Sequence, residues 1–123
     1  MIENLQINGV HADVDNDLHK YAVKKIGHLD KYMSKHTQAS AHAEIKLKES
    51  KAKDKRQHTA EVILHLPHEN ITAKESTMNI YAAVDIVEAK LRNQLKKYKE
   101  MHDSPKIHRR LIRHLRRDLR RGN

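Results

Sequence analysis

The chain has 123 residues, with 25 Lys and Arg against 16 Asp and Glu, a net charge of +9 with the histidines neutral. Cysteine is absent, which excludes disulfide frameworks, thiolate metal sites and cysteine nucleophiles and fits a reducing compartment. No run approaches the roughly 18 apolar residues of a membrane span, and the polar start "MIENLQINGV" is unlike a secretory signal, so a soluble, cytoplasmic chain with one modest core and no membrane partner is expected.

In chain order, "ENLQINGV" alternates Leu5 and Ile7 with polar residues and closes on Gly9, the pattern of a short first strand. A helix follows from Asp15 as N-cap, its apolar stripe running Leu18, Ala22, Ile26, Leu29, Met33 over four turns. Gly27 inside that stripe costs about 1 kcal/mol relative to Ala without breaking the pattern. "ASAHAEIKLKES" then alternates Ala41, Ala43, Ile45 and Leu47 against polar residues, and "TAEVILHL" repeats the alternation with Ala60, Val62, Leu64 and Leu66 inward. Between these two strands "KESKAKDKRQH" reads as a charged loop. A turn over Pro67 to Asn70 leads into "ITAKES", so residues 39 to 76 form an antiparallel meander.

"NIYAAVDIVEAKLRNQLKKYKE" is a second helix that buries Ile80, Val84, Val87, Leu91, Leu95 and Tyr98. The expected fold is α+β, in the order β-α-β-β-β-α, with two helices on one face of a four-stranded sheet and the other face open to solvent. Residues 1–104 make the folded domain and 105–123 a basic tail.

The charge is concentrated. The tail carries +7 of the +9 and can hold any polyanion without reading sequence, with Arg109, Arg110, Arg113, Arg116 and Arg117 as candidate phosphate contacts. It is expected to be a disordered extension, an arm that orders on RNA, or a membrane-surface helix, the last disfavoured because its apolar side lacks Trp and Phe. Ile107, Leu111, Leu115 and Leu119 would line one side of a basic amphipathic helix. On the second helix Lys90, Asn93 and Lys97 fall in one row, and Arg92, Lys96 and Lys99 in another on the opposite flank of the apolar seam. Lys20, Lys24, Lys25 and Lys31 on the first helix would merge with them if the helices lie side by side. Past Asp85 the second helix has only Glu88 and Glu100 as acids, so the alternating signs of an ordinary solvated helix are missing.

Aromatic residues narrow the kind of polyanion. The chain has four Tyr, no Phe and no Trp, and none of the Tyr falls on a predicted strand, which disfavours stacking of unpaired bases on a sheet. Recognition of folded RNA through backbone and shape remains. Eleven histidines are scattered without metal-ligand spacing, and no phosphate-binding Gly-rich loop or catalytic frame occurs, so no metal, no cofactor, no small-molecule substrate and no enzymatic activity are expected.

With this element order in place, "VDNDLHKYAVKKIGHLDKYM", "HTAEVILHLP" and "NIYAAVDIVEAKLRNQLKKYKE" resemble the ribosome hibernation-promoting factor family, also called ribosome-associated inhibitors or sigma-54 modulation proteins. The third stretch is the most specific, matching the family's Met-Tyr-Ala-Ala-Ile-Asp pattern followed by Lys-Leu and Gln-Leu steps. The match covers about residues 2 to 102. It implies a protein that binds the small ribosomal subunit at the decoding region through 16S rRNA, excludes mRNA and tRNA, and silences translation in stasis or stress. The residues expected to contact rRNA are Lys20, Lys24, Lys25, Lys90, Arg92, Lys97 and Lys99. Asn93 stands where the family often has Arg, and His28 where it often has Lys. The long-form dimerisation domain of the family has no room in 123 residues, so a short form is expected. A generic double-stranded RNA binder or RNA chaperone is the alternative, although the first strand is foreign to the α-β-β-β-α order of a duplex-RNA domain. A third reading has the open sheet face binding another protein.

Overall fold

The computed structural model describes residues 1–52 and 55–102. The basic tail, with Arg109, Arg110, Arg113, Arg116 and Arg117, lies outside the described residues.

Alternation in the sequence becomes a four-stranded sheet in the order β1-β2-β3-β4. β1 (Asn4–Val10) runs parallel to β2 (His42–Ala52), with Ile7 opposite Ile45. β2, β3 (Lys55–His65) and β4 (Asn70–Thr77) continue as the expected antiparallel meander, Ile45 facing Val62 and Val62 facing Ala73. A parallel pair cannot be closed by a hairpin and needs a crossover. Here α1 (Asn16–Gly27), a 3-10 turn (His28–Tyr32) and α2 (Lys35–Ser40) supply it, and α3 (Ile80–His102) returns after β4.

The helices begin where their caps dictate. Asp15 sits in extended conformation and its Oδ1 accepts the Leu18 N–H at 2.8 Å, and Asn79 Oδ1 accepts the Tyr81 N–H at 2.9 Å. The core lies between the helices and one sheet face. Leu18, Ala22 and Ile26 of α1 and Val84, Val87, Leu91 and Leu95 of α3 are buried with Ala43, Ile45, Leu47, Ala60, Val62 and Leu64. The opposite sheet face is polar, with Lys46 Nζ 4.0 Å from Glu61, a Thr59–Ser76 hydroxyl pair at 2.7 Å and the His42 and His65 rings stacked 4.2 Å apart.

Four expectations need correction. The first helix does not run unbroken to Met33: the Gly27 carbonyl is taken by the Ile2 N–H at 2.9 Å, and the chain tightens into the 3-10 turn, which still buries Leu29. The first strand passes Gly9 and ends at Val10, the chain turning at His11, whose φ is 53°. Gly9 is required for a close approach, since a Cβ there would lie 2.6 Å from the Ala12 carbonyl oxygen. Short α2 was not anticipated. Its N-cap, Ser34, accepts the Thr37 N–H at 3.2 Å, and one turn with a single buried residue, Thr37, leaves no periodicity to read. The charged "loop" between β2 and β3 is mostly strand: Glu49 pairs with His58, Ser50 with Gln57 and Lys51 with Arg56, where the ribbon outruns its helical cover and both faces are polar.

Candidate nucleic-acid interface

Helical periodicity places the basic rows of α3 on opposite flanks of its buried seam, and each flank has a different neighbour. On one, Lys90 leans onto the edge strand: its Nζ is 2.5 Å from Glu75 Oε2 and 3.4 Å from the Lys74 carbonyl oxygen. One turn on, Gln94 Nε2 donates to the Thr72 carbonyl oxygen at 2.9 Å. These two side chains cover outward carbonyls of β4, which blunts an otherwise open sheet edge. Lys97 stands exposed on the same flank.

The other flank faces α1 and the 3-10 turn. Together they enclose a cavity of about 430 Å³ with Lys24, Lys25 and Lys31 on one wall and Arg92 and Glu88 on the other, Tyr21, His28 and Tyr32 completing it. Thus Lys24, Lys25 and Arg92, which sequence reasoning selected, converge here, and Lys31 joins them. Lys20 lies exposed on α1, and Lys99 exposed on α3. Lys90 and Lys97 belong to the far flank, so the seven selected cations are not gathered into one cluster.

Two tyrosines organise the cavity electrostatically. The Tyr21 hydroxyl donates to Asp85 Oδ1 at 2.5 Å, and Lys25 Nζ sits 3.6 Å from the same oxygen and 5.8 Å from the Tyr21 ring centre. That hydrogen bond, together with burial and the carboxylate's charge, pushes the Tyr21 phenol up to about 12. Tyr32 behaves in the opposite sense: the Arg92 guanidinium beside it draws its hydroxyl below the usual phenol range, and Lys31 Nζ lies 5.3 Å from its ring centre. Arg92 is in turn raised, first by Tyr32 and then by Glu88, whose Oε2 is 3.9 Å from Nη2. Each side of the groove thus sets a carboxylate beside a cation, Asp85 with Lys25 and Glu88 with Arg92. Asp85 and Glu88, one turn apart on α3, are both partners of groove cations. The Glu88–Arg92 spacing of four is a legible signal, whereas the Tyr21–Asp85 and Tyr32–Arg92 pairings depend on the docking of α1 and the 3-10 turn against α3. Among the described residues no group of three or more His, Asp or Glu side chains is disposed to hold a metal.

Fold and charge define a class: a small α+β domain that carries its cationic groove between the helices on one side of a mixed sheet and leaves the sheet's other face polar and free of tyrosine. Residues 5–103 match the sequence profile of the family described as Sigma 54 modulation protein / S30EA ribosomal protein. The chain belongs to that family. It is 33% identical over 95 residues to the ribosome hibernation promotion factor of Lactococcus lactis subsp. cremoris (strain MG1363), covering 76% of this chain and 48% of that protein. It is 29% identical over 94 residues to the factor of the same name from Staphylococcus aureus (strain COL), covering 76% and 47%. The chain thus spans about half the length of these curated relatives. In structure it is similar to the Thermus thermophilus Protein Y N-terminal domain, with a TM-score of 0.64, 24% identity and coverage of 80% of this chain and 99% of that one. A ribosomal subunit interface protein from Coxiella burnetii gives the same TM-score and identity over 78% and 97%.

Proposed function

We propose that this protein is a ribosome-associated hibernation factor, without enzymatic activity, that binds the small ribosomal subunit at the decoding region through 16S rRNA and excludes mRNA and tRNA. The observation that carries the reading is the convergence of Lys24, Lys25, Lys31 and Arg92 on one groove between helices. Family membership and the names of the relatives support it. Lys20, Lys24, Lys25, Lys90, Arg92, Lys97 and Lys99 serve as phosphate contacts, and the arginines of 105–123 add attraction that carries no sequence information. Contacts of this kind position a body on folded RNA, and the body then blocks the path of mRNA and tRNA by its volume. A ribosome-bound protein of this kind works in the cytoplasm.

The test is sucrose-gradient co-sedimentation with vacant bacterial ribosomes, for the full chain and for a chain ending at residue 104, with naked duplex RNA as competitor. Both chains are expected to travel with the small subunit in moderate salt and to be displaced poorly by duplex RNA. Binding by the full chain alone, stripped by salt or by duplex RNA, would reduce the protein to a generic RNA binder.

A further inference from the structure

Each wall of the groove between α1 and α3 offers something different to a ligand. At one end Lys31 and Arg92 flank the Tyr32 hydroxyl, three donors that no single protein carboxylate neutralises: Arg92 shares Glu88 at 3.9 Å, and Lys31 has no carboxylate within 4.0 Å among the described residues. Glu88 stands on the same wall with a half-buried carboxylate, which repels a bare phosphate and accepts hydrogen bonds from neutral O–H or N–H donors. Of the other two lysines of the groove, Lys25 is already paired with Asp85 and Lys24 has no carboxylate within 4.0 Å among the described residues. A cavity of about 430 Å³ falls within the range of about 300–1,000 Å³ typical of small-ligand sites and is far too small for a duplex.

We propose that this groove is a subsite for a single phosphate ester of a hydroxyl-bearing sugar, as in one nucleotide, with the phosphate at Lys31, Tyr32 and Arg92 and a sugar hydroxyl or base amine at Glu88. The fit is to a ligand with one anionic end and one donor-rich neutral end. Inorganic phosphate meets only half of the site, and an unphosphorylated nucleoside only the other half. Such an occupant reaches the groove from either of two sources, an unpaired nucleotide of an RNA or a free nucleotide. The RNA source rests on the ribosomal reading above, and the free-nucleotide source does not.

The test is an amide and side-chain NMR titration of the full chain with adenosine 5′-monophosphate, inorganic phosphate and adenosine, at constant ionic strength. The monophosphate is expected to shift Lys31, Tyr32 and Arg92 saturably and to bind at least about threefold more tightly than inorganic phosphate, while adenosine shifts only the Glu88 side, weakly and without saturating. Lys31→Ala and Arg92→Ala should each weaken the monophosphate at least about fivefold, and Lys48→Ala, on the open sheet face, should leave it unchanged. Glu88→Gln should narrow the preference for monophosphate over phosphate, a change that mere loss of folding does not produce, and unchanged melting of each variant guards against that. Shifts spread evenly over the basic surface, or phosphate bound as tightly as the monophosphate, would overturn the proposal. A short single-stranded RNA that shifts the same residues and is released by the monophosphate identifies RNA as the source, and RNA that leaves the groove untouched while the monophosphate fills it identifies a free nucleotide. Failure of the ribosomal reading would show as loss of co-sedimentation with the titration intact, so the two are separable.

Discussion

The Tyr21 hydroxyl and Asp85 Oδ1 meet at 2.5 Å and tie α1 to α3 at the mouth of the groove. The Tyr21 ring also meets the Tyr81 ring edge-on, 5.0 Å between centres, so one residue of α1 holds both an apolar and a polar contact with α3. This contact keeps Asp85 close to Lys25, 3.6 Å from its Nζ.

Because the folded state holds the Tyr21 proton to about 12 against an ordinary value of 10.0, its contribution to stability is fully present below pH 10 and is lost as the pH rises toward 12. Ultraviolet titration of tyrosinate should show Tyr21 ionising late, beside Tyr81, which burial and the charges of Asp15 and Asp17 also raise; the Tyr21 step should vanish in Tyr21→Phe and move earlier in Asp85→Asn. Tyr32 should ionise below the usual phenol range, and Arg92→Ala should return it upward. A wild-type titration in which all phenols ionise together would contradict both assignments.

Two glycines give opposite outcomes when replaced by alanine. At Gly9 the new Cβ would come within 2.6 Å of a backbone oxygen, that of Ala12, which cannot move without carrying the β1 turn with it, so Gly9→Ala should destabilise by about 1–3 kcal/mol. At Gly27 the obstacle at 2.6 Å is Met1 Cγ, part of a flexible side chain, and the helical gain of about 1 kcal/mol offsets its displacement. Gly27→Ala should therefore be near neutral. Denaturant midpoints at constant slope decide both.

Leu91 and Leu95 are fully buried at the centre of α3, against the sheet. Leu91→Ala should cost about 2–5 kcal/mol, by lost transfer energy and the cavity left behind. By contrast, Tyr98→Phe removes only the acceptor for the His68 N–H at 3.2 Å and should cost about 1 kcal/mol. Chemical denaturation of the two variants should separate them clearly.

The parts of this fold that a reader of the sequence can find are those whose burial is periodic. Ala43, Ile45 and Leu47, or Val84, Val87, Leu91 and Leu95, announce a face because one side of each element meets the core and the other meets water. The ribbon from Glu49 to His58 escapes detection because it extends beyond that core, and its register rests on cross-strand partners such as Glu49 and Arg56, 3.7 Å apart, which local sequence does not reveal. The candidate site divides the same way. Lys24, Lys25 and Arg92 could be found from helical phase and a shortage of acids. That Arg92 faces Tyr32 while Lys90 faces Glu75 follows from which neighbour each flank meets, and only the tertiary arrangement decides it.

That division of the α3 cations makes the last prediction specific. If many modest phosphate contacts supply the affinity for the small subunit, single changes should lose little, whereas Lys90→Ala, Arg92→Ala and Lys97→Ala combined should abolish co-sedimentation in moderate salt. Each phosphate contact contributes about 0.7–0.9 to the slope of log affinity against log salt, so the triple variant should flatten that slope by about 2–3. Among single variants, Lys90→Ala should lose less than Arg92→Ala, because Lys90 gives up a Glu75 partner at 2.5 Å to reach a phosphate while Arg92 gives up a looser one at 3.9 Å. Retention of full binding and slope by the triple variant would mean that the α3 rows are a solvated face, and the interface would have to be sought on α1 or the open sheet.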